Sequence, residues 1–155
     1  MSGVLAIDHG ERKTGVAYTD GARILTSALE TIPHGGSSPE LLDHVARLLE
    51  ERDVGTFLVG LPIAPRANRE TAPGPVDLGE RARSVQRFAA ALGERFPGRE
   101  VCLHDEHLTT KEAESRLTDA GFRGKERKAR KDSWSALVLL EDWLAAGEPA
   151  KRDES

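Results

Sequence analysis

Carboxylates mark the ends of two apolar runs in this chain and the start of a third. Asp8 ends the first run, Asp105 and Glu106 end a later one, and Asp132 begins the last. Because strand ends and helix starts meet at one rim of a β-α sheet, we expect these acids to lie close together. Clustered carboxylates repel one another unless a cation offsets their charge. Oxygen ligands suit Mg²⁺ or Mn²⁺, so the pattern predicts a metal site capable of phosphodiester hydrolysis.

Each acid also has an interpretation that involves no metal. Asp8 precedes a glycine by two residues and could simply begin a turn. Asp132 is a good N-cap for the helix that we expect after it. Glu106 belongs to a residue type that usually lies on the surface. Asp105 could cap a helix or begin a turn. Three such roles at three matching positions are less expected than any one of them, which favours the metal site.

A basic segment, residues 121–131, lies directly before Asp132. It contains six basic residues, one acid and two glycines, and we expect it to be a mobile loop. A charge run of this kind is usually a solvated face, but beside a carboxylate site its cations could hold phosphates. Arg12 and Lys13, in the turn after Asp8, would extend this surface. The predicted nucleic-acid contacts are Arg12, Lys13, Arg123, Lys125, Arg127, Lys128, Arg130 and Lys131.

The elements that must position these residues follow from apolar periodicity. Asp20-Gly21 separates two strand-like runs and predicts a hairpin, so the chain opens with three antiparallel strands. The expected strands are 3–8, 14–19, 23–32, 56–62 and 100–105, and the expected helices are about 39–53, 78–96, 109–117 and a last one centred on 134–144. This order predicts an α/β protein with a mixed five-stranded sheet between helices, the layout of the ribonuclease-H-like fold.

The composition fits one domain and restricts its partners. The chain has 155 residues and a net charge of −4, so any nucleic-acid surface must be local. The single cysteine, Cys102, excludes an internal disulfide and a Cys-rich zinc site. Without a signal-peptide pattern or a membrane-length apolar run, we expect a cytoplasmic protein that does not bind membranes. We expect a domain over residues 1–146 and a loose tail over residues 147–155.

Four motifs, in this order, resemble those of the YqgF/RuvX family. Ile7–Ala17 is similar to the family's I-D-x-G-x-K-R-x-G-V-A, and Val59–Pro62 matches V-G-L-P. Asp105–Ala113 resembles D-E-R-x-T-T-x-x-A, and Asp132–Ala136 resembles D-S-x-A-A before a buried helix. Together the motifs cover nearly the whole chain, whereas a single D-x-G also occurs in actin-like ATPases and sugar kinases.

The resemblance implies a ribonuclease-H-like nuclease that uses Mg²⁺ or Mn²⁺. The implied metal-binding residues are Asp8, Glu106, Asp132 and the neighbouring Asp105, of which the first three are the implied catalytic residues. Two departures concern the substrate. His107 stands where the family has Arg, so a titratable group replaces a permanent cation. Residues 63–75 replace a short N-x-D-G segment with a longer loop that carries arginine.

The first hypothesis is therefore a metal-dependent endonuclease acting on structured nucleic acid, with processing of the pre-16S rRNA 5′ end as its expected role. The alternative is a Holliday junction resolvase, which needs two active sites and hence a dimer. The sequence leaves open whether the chain is a monomer or a homodimer. A hypothesis of another class is a nucleic-acid-binding module without catalysis. A kinase-like ATP-binding protein is disfavoured because this chain shows no internal repeat.

Overall fold

The computed structural model describes residues 2–36, 38–62, 79–106 and 109–150. Its strands are β1 (Gly3–Asp8), β2 (Lys13–Thr19), β3 (Thr26–Ala28), β4 (Ile32–Pro33), β5 (Val54–Pro62) and β6 (Glu100–Glu106). Its helices are α1 (Ser38–Glu51), α2 (Gly79–Arg95), α3 (Thr109–Asp119) and α4 (Gly124–Ala145). The predicted loop at residues 63–78 and the predicted departure at His107 lie outside the described residues.

The sheet has the order β3-β2-β1-β5-β6, with β4 paired to β2. β1 is antiparallel to β2 and parallel to β5, and β5 is parallel to β6. The prediction of a mixed sheet in an α/β fold is confirmed. β1 is central because it pairs with β2 on one side and β5 on the other. Its residues Gly3–Asp8 are all buried because helices cover both faces of the sheet.

The predicted third strand, residues 23–32, is divided into two short strands, so the sheet has six strands rather than five. Arg23 adopts a left-handed backbone conformation, with φ of 59°, which no strand residue can keep. Its guanidinium donates to the carbonyl oxygens of Ser2 and Asp20 and to the carboxylate of Glu148. After β3, Thr31 turns its hydroxyl to α4, where it lies 3.1 Å from Ser133 Oγ.

Two hydrophobic layers cover the sheet. On one face, Leu5 and Ile7 of β1 pack with the buried sides of α1 and α2. On the other face, Val4 and Ala6 of β1 pack with α4. Because side chains alternate along a strand, the next residue after Ile7 points to the α4 face. The sheet thus carries Asp8 at the end of its central strand, directed to α4.

The C-terminal end of the described chain contacts the domain. Glu148 pairs with Arg23 at 3.1 Å, and Trp143 Nε1 donates to the carbonyl oxygen of Pro149 at 3.0 Å. The predicted domain boundary after residue 146 stays a prediction. None of the helices in the described ranges has both the length and the apolar character needed to span a bilayer.

Candidate active site

Asp8 and Glu106 form the centre of the candidate site. Asp8 ends β1 and Glu106 ends β6, and both strands run in the same direction on either side of β5. Glu106 lies close enough to raise the pKa of Asp8, and Arg81 Nη2 contacts both carboxylates, at 3.8 Å from Asp8 Oδ1 and 3.6 Å from Glu106 Oε2. Their side chains are only 10% and 9% exposed. The structure therefore joins two of the acids that the sequence predicts to lie together.

Gly60 makes room for this carboxylate pair on the strand between them. A Cβ atom at Gly60 would lie 3.4 Å from Oε1 of Glu106 and 3.1 Å from Cδ2 of Leu139. The distance to Leu139 is tighter than usual and the distance to Glu106 is at the edge of ordinary contact, so a Cβ atom would press on Leu139 and fill the space next to the Glu106 carboxylate. This glycine belongs to the V-G-L-P motif, and its position explains in steric terms why a glycine suits that motif here.

The surroundings of Asp8 disfavour its ionised form. Burial raises the pKa of Asp8 well above its ordinary value, and the hydrogen bond and negative charge of Glu106 raise it further. The charge of Asp132 acts in the same direction, whereas Arg81 opposes the shift. Two buried carboxylates in contact need a shared proton or a cation. This is the environment in which a metal ion stabilises the fully ionised pair.

Arg81 supplies a cation at this point, and the sequence analysis missed it. Arg81 Nη2 lies 3.8 Å from Asp8 Oδ1 and 3.6 Å from Glu106 Oε2. The residue is in the first turn of α2, beside a cleft of about 570 Å³ that is also lined by His9 and Arg87. Arg81 could have been predicted from the topology, because a helix that follows a parallel strand begins at the edge of the sheet where the strands end.

Asp132 lies near the pair but inside a helix, which corrects two predictions. The predicted loop over residues 121–131 is wrong from Gly124 onward, because α4 begins there and runs through Asp132 without a break; only residues 121–123 lie outside the helix. Asp132 is therefore not the N-cap, and Arg123 holds that position. The physical reason is that Lys, Arg, Glu and Ala are good helix formers, and residues 125–131 contain no glycine or proline.

The carboxylate of Asp132 is only partly compensated. Its Oδ2 lies 3.5 Å from Lys13 Nζ, and the side chain is 21% exposed. This contact does not have hydrogen-bond geometry, and Oδ2 is buried without a hydrogen bond from the described part of the chain. An unsatisfied buried carboxylate oxygen is costly. Asp132 thus has an oxygen available for a cation.

Gly15 and Ser133 fix α4 against β2 beside Asp132. Gly15 pairs with Asp8 across the strands. A Cβ atom at Gly15 would overlap the backbone carbonyl of Asp132. Ser133 Oγ accepts a hydrogen bond from Val16 N at 3.1 Å. The glycine lets the helix approach the strand, and the serine holds it there, so both position Asp132.

The oxygen donors fit Mg²⁺ or Mn²⁺, since such ions are commonly held by one or two carboxylates with water and substrate phosphates. Among the residues that the structure describes, no three His, Cys, Asp or Glu side chains stand close enough to hold an ion. The contact pair is Asp8 and Glu106, with Asp132 within electrostatic range. Asp105 is exposed and, by strand alternation, points to the face opposite Glu106. Its predicted place in the metal-binding set stays a prediction.

His9 forms an apolar wall next to the carboxylates. Its ring stacks on Phe88 with centroids 4.6 Å apart, and the ring of His34 lies 6.3 Å away on a nearly parallel plane. Burial, with the charges of His34 and Arg81, lowers the pKa of His9 to about 4. His9 is therefore neutral at physiological pH and does not add to the cations that compensate Asp8.

The predicted basic contacts lie at the N-cap and on the first turns of α4, in the turn before β2 and at the first residue of β2. We call these residues the basic surface: Arg12, Lys13, Arg123, Lys125, Arg127, Lys128, Arg130 and Lys131. All are exposed except Lys13 and Lys131, which are half-buried. Arg130 stacks over Phe122 at 4.4 Å, and Phe122 meets Trp134 edge-on. Phe122 is thus a packing anchor for the N-terminal part of α4.

Comparison with known proteins identifies the family. Residues 2–146 match the family model RuvX, described as a Holliday junction resolvase. A Bacteroides fragilis protein, provisionally named a pre-16S rRNA nuclease, is 31% identical over 146 residues, or 93% of this chain and 96% of the relative. A Chloroflexus aurantiacus protein with the same provisional name is 35% identical over 144 residues, 92% of this chain and 86% of the relative. The fold is similar to T. thermophilus RuvC in complex with a Holliday junction substrate, with a TM-score of 0.56 and 12% identity, covering 96% of this chain and 98% of that chain.

Proposed function

Because the chain belongs to the RuvX family, we propose that it is a divalent-metal-dependent endonuclease that hydrolyses phosphodiester bonds in structured nucleic acid. The observation that carries this proposal is the buried contact between the carboxylates of Asp8 and Glu106. A buried pair of like charges destabilises a fold unless a cation binds it. A site of this kind is expected where charge compensation by a bound ion is part of the chemistry.

The proposed cofactor is Mg²⁺ or Mn²⁺. Asp8 and Glu106 would hold the ion, and Asp132 is the third proposed ligand, with an oxygen that has no hydrogen bond within the described chain. When bound, such an ion activates water and stabilises the charge that develops on the phosphate. Asp105 remains a proposed neighbour of this set. Gly60 and Gly15 provide the space in which these side chains are brought together.

The chain's own cations would bind and orient the substrate. The basic surface presents Lys and Arg on α4, the same helix that carries Asp132. Contacts to phosphates fix the position and register of a nucleic acid without reading its sequence. Lys13, 43% exposed and 3.5 Å from Asp132, links this surface to the carboxylates. A backbone bound to α4 would therefore lead directly to the acidic site.

We infer that the substrate is precursor 16S rRNA, a role supported by the provisional names of the relatives. The test is cleavage of precursor 16S rRNA and of a four-way DNA junction at equal concentrations, with Mn²⁺ and with EDTA. We expect cleavage of the precursor near the 5′ end of 16S rRNA, and none in EDTA. Cleavage of the junction alone would contradict the RNA assignment and favour the alternative.

The alternative is Holliday junction resolution, which the family description and the RuvC-like fold favour. Two strands must be cut in one junction, so this function needs two active sites. Measurement of the particle mass by light scattering, with and without junction DNA, distinguishes the two. A monomer that stays a monomer on the junction contradicts resolution, whereas a homodimer on the junction supports it.

A non-catalytic binding module is the remaining hypothesis. It predicts nucleic-acid binding that does not depend on the acids and no metal-dependent cleavage of either substrate. The buried carboxylate pair argues against it, because binding through the basic surface does not need an energetically costly acid pair behind it.

A further inference from the structure

Among the residues that the structure describes, Arg81 is the cation that contacts both carboxylates of the pair, and its side chain is much more exposed than theirs. The guanidinium side chain is 63% exposed, whereas the side chains of Asp8 and Glu106 are 10% and 9% exposed. Nη2 contacts both acids, at 3.8 and 3.6 Å. A largely exposed cation thus covers a buried pair of anions from the solvent side.

The guanidinium and a divalent ion would compete for the same two carboxylates. The Arg81 contacts reach one oxygen of each acid, Oδ1 of Asp8 and Oε2 of Glu106. A cation bound between these acids would repel a guanidinium held at this distance, because both charges would lie within a few ångströms. Metal binding therefore weakens the attraction that holds Arg81 in its present position.

Arg81 has space to move away from the acids. It lies at the start of α2 on the border of the cleft of about 570 Å³, which opens next to Gly10 and Ser84. The neighbouring arginines have a different partner, because Arg83 Nε and Arg87 Nη2 both contact the exposed carboxylate of Glu80. Arg81 is thus distinguished by its contacts with the candidate metal ligands.

We propose that Arg81 is a positioning residue that exchanges partners, holding Asp8 and Glu106 in the metal-free protein and binding a nucleic-acid phosphate once a divalent ion occupies the acids. The guanidinium is suited to both partners because its fork of donors matches carboxylate and phosphate geometry. Metal binding and nucleic-acid binding are then coupled, each favouring the other. This inference rests on the proposed function, since it assumes that the acids bind metal.

A second cation, Lys13, contacts the third acid of the site, Asp132. Lys13 Nζ lies 3.5 Å from Asp132 Oδ2, and it is 43% exposed. Lysine is a point charge without the planar fork, and it contacts one acid rather than two. Arg81 is therefore the residue on which the exchange is tested.

The first experiment measures Mn²⁺ affinity by calorimetric titration at pH 8 without nucleic acid. Arg81→Gln should bind Mn²⁺ about tenfold more tightly than the unmodified protein, because the competing charge is removed. Arg81→Lys, which keeps the charge, should be intermediate. The control is Arg95→Gln, at the far end of α2 and paired with Asp43, and it should not change the affinity. Thermal unfolding of each variant verifies that it is folded.

The second experiment measures binding of a labelled RNA from the 5′ end of precursor 16S rRNA, with and without Ca²⁺ in place of Mn²⁺. Ca²⁺ should tighten binding several-fold in the unmodified protein and in Arg95→Gln, but not in Arg81→Gln. If Mn²⁺ binds the unmodified protein and Arg81→Gln equally well, the partner exchange is wrong while the metal site stands. If no variant binds Mn²⁺, the proposed function fails as well.

Discussion

At the scale of single residues, the site is organised by one destabilised carboxylate. Asp8 is buried at the end of the central strand, in contact with Glu106 and within range of Asp132. A carboxylate in such a place opposes folding when it is ionised. Arg81 offsets part of that cost in the absence of metal. Asp8, the proposed catalytic residue, is thus unfavourable for the stability of the metal-free fold.

Replacement of Asp8 by Asn should stabilise the metal-free protein. The folded state raises the pKa of Asp8, so the folded chain keeps a proton that the unfolded chain has lost, and stability falls as pH rises between the two pKa values. Asn removes the ionised form, and we expect a gain of about 1–2 kcal/mol at pH 7 in EDTA. The measurement is urea unfolding at pH 4 and pH 7. The exposed control Asp43→Asn should show no gain, and a less stable Asp8→Asn would contradict this account.

His9 should affect stability in the opposite pH range. Its folded pKa of about 4 lies below the value of 6.5 in the unfolded chain. The unfolded state therefore takes up a proton first, and the stability present above pH 6.5 declines as pH falls towards 4. His9→Phe keeps a ring against Phe88 without the titrating group, and its urea midpoint should fall less between pH 7 and pH 4.5. An equal decline in both proteins would show that another group is responsible.

At the scale of elements, α4 connects the acid site and the basic surface. One helix carries Asp132, the contact Ser133 and most of the basic residues. It can lie this close to the sheet only because β2 has a glycine opposite it. The position of Asp132, a proposed metal ligand, thus depends on a glycine in another element that has no chemistry of its own.

Gly15→Ala tests this dependence. The added Cβ meets the rigid backbone of Asp132, so the helix must shift, and we expect a loss of about 2–3 kcal/mol in unfolding free energy. The matched control is Gly93→Ala in α2, where a Cβ would lie 3.9 Å from Val101 Cγ2, an ordinary contact. That substitution should be neutral or stabilise the helix by up to about 1 kcal/mol. Similar stabilities for the two variants would contradict the close-approach argument.

The basic surface on α4 should determine how strongly RNA binding depends on salt concentration. Neutralising Arg127, Lys128 and Arg130 to Gln should weaken RNA binding and reduce the slope of log affinity against log salt by about 2. The slope reports how many phosphate charges the protein neutralises, so it distinguishes a contact surface from a solvated face. Fluorescence anisotropy at several salt concentrations measures it. Arg95→Gln should leave the slope unchanged, and an unchanged slope in the triple variant would remove α4 from the interface.

At the scale of the whole molecule, strand ends and helix starts bring distant parts of the sequence to one rim. Apolar periodicity was sufficient to predict the mixed sheet and most element boundaries, because a strand that is buried on both faces leaves a continuous apolar run in the sequence. It was insufficient for the start of α4, since a basic helix exposed on one side has no such pattern. Arg81 was missed because its contacts with Asp8 and Glu106 depend on where its side chain points in the folded chain. The spacing of residues in the sequence does not give that orientation.

The central claim is that Asp8 is a metal ligand required for phosphodiester cleavage. The most direct test is the single-turnover rate of precursor 16S rRNA cleavage in Mn²⁺ by Asp8→Asn, with Asp43→Asn as the control for an exposed aspartate. Asn keeps the shape but removes the charge that holds the ion, so the account predicts a rate at least about 100-fold lower in Asp8→Asn and an unchanged rate in the control. Cleavage by Asp8→Asn at the rate of the unmodified protein would contradict the metal site.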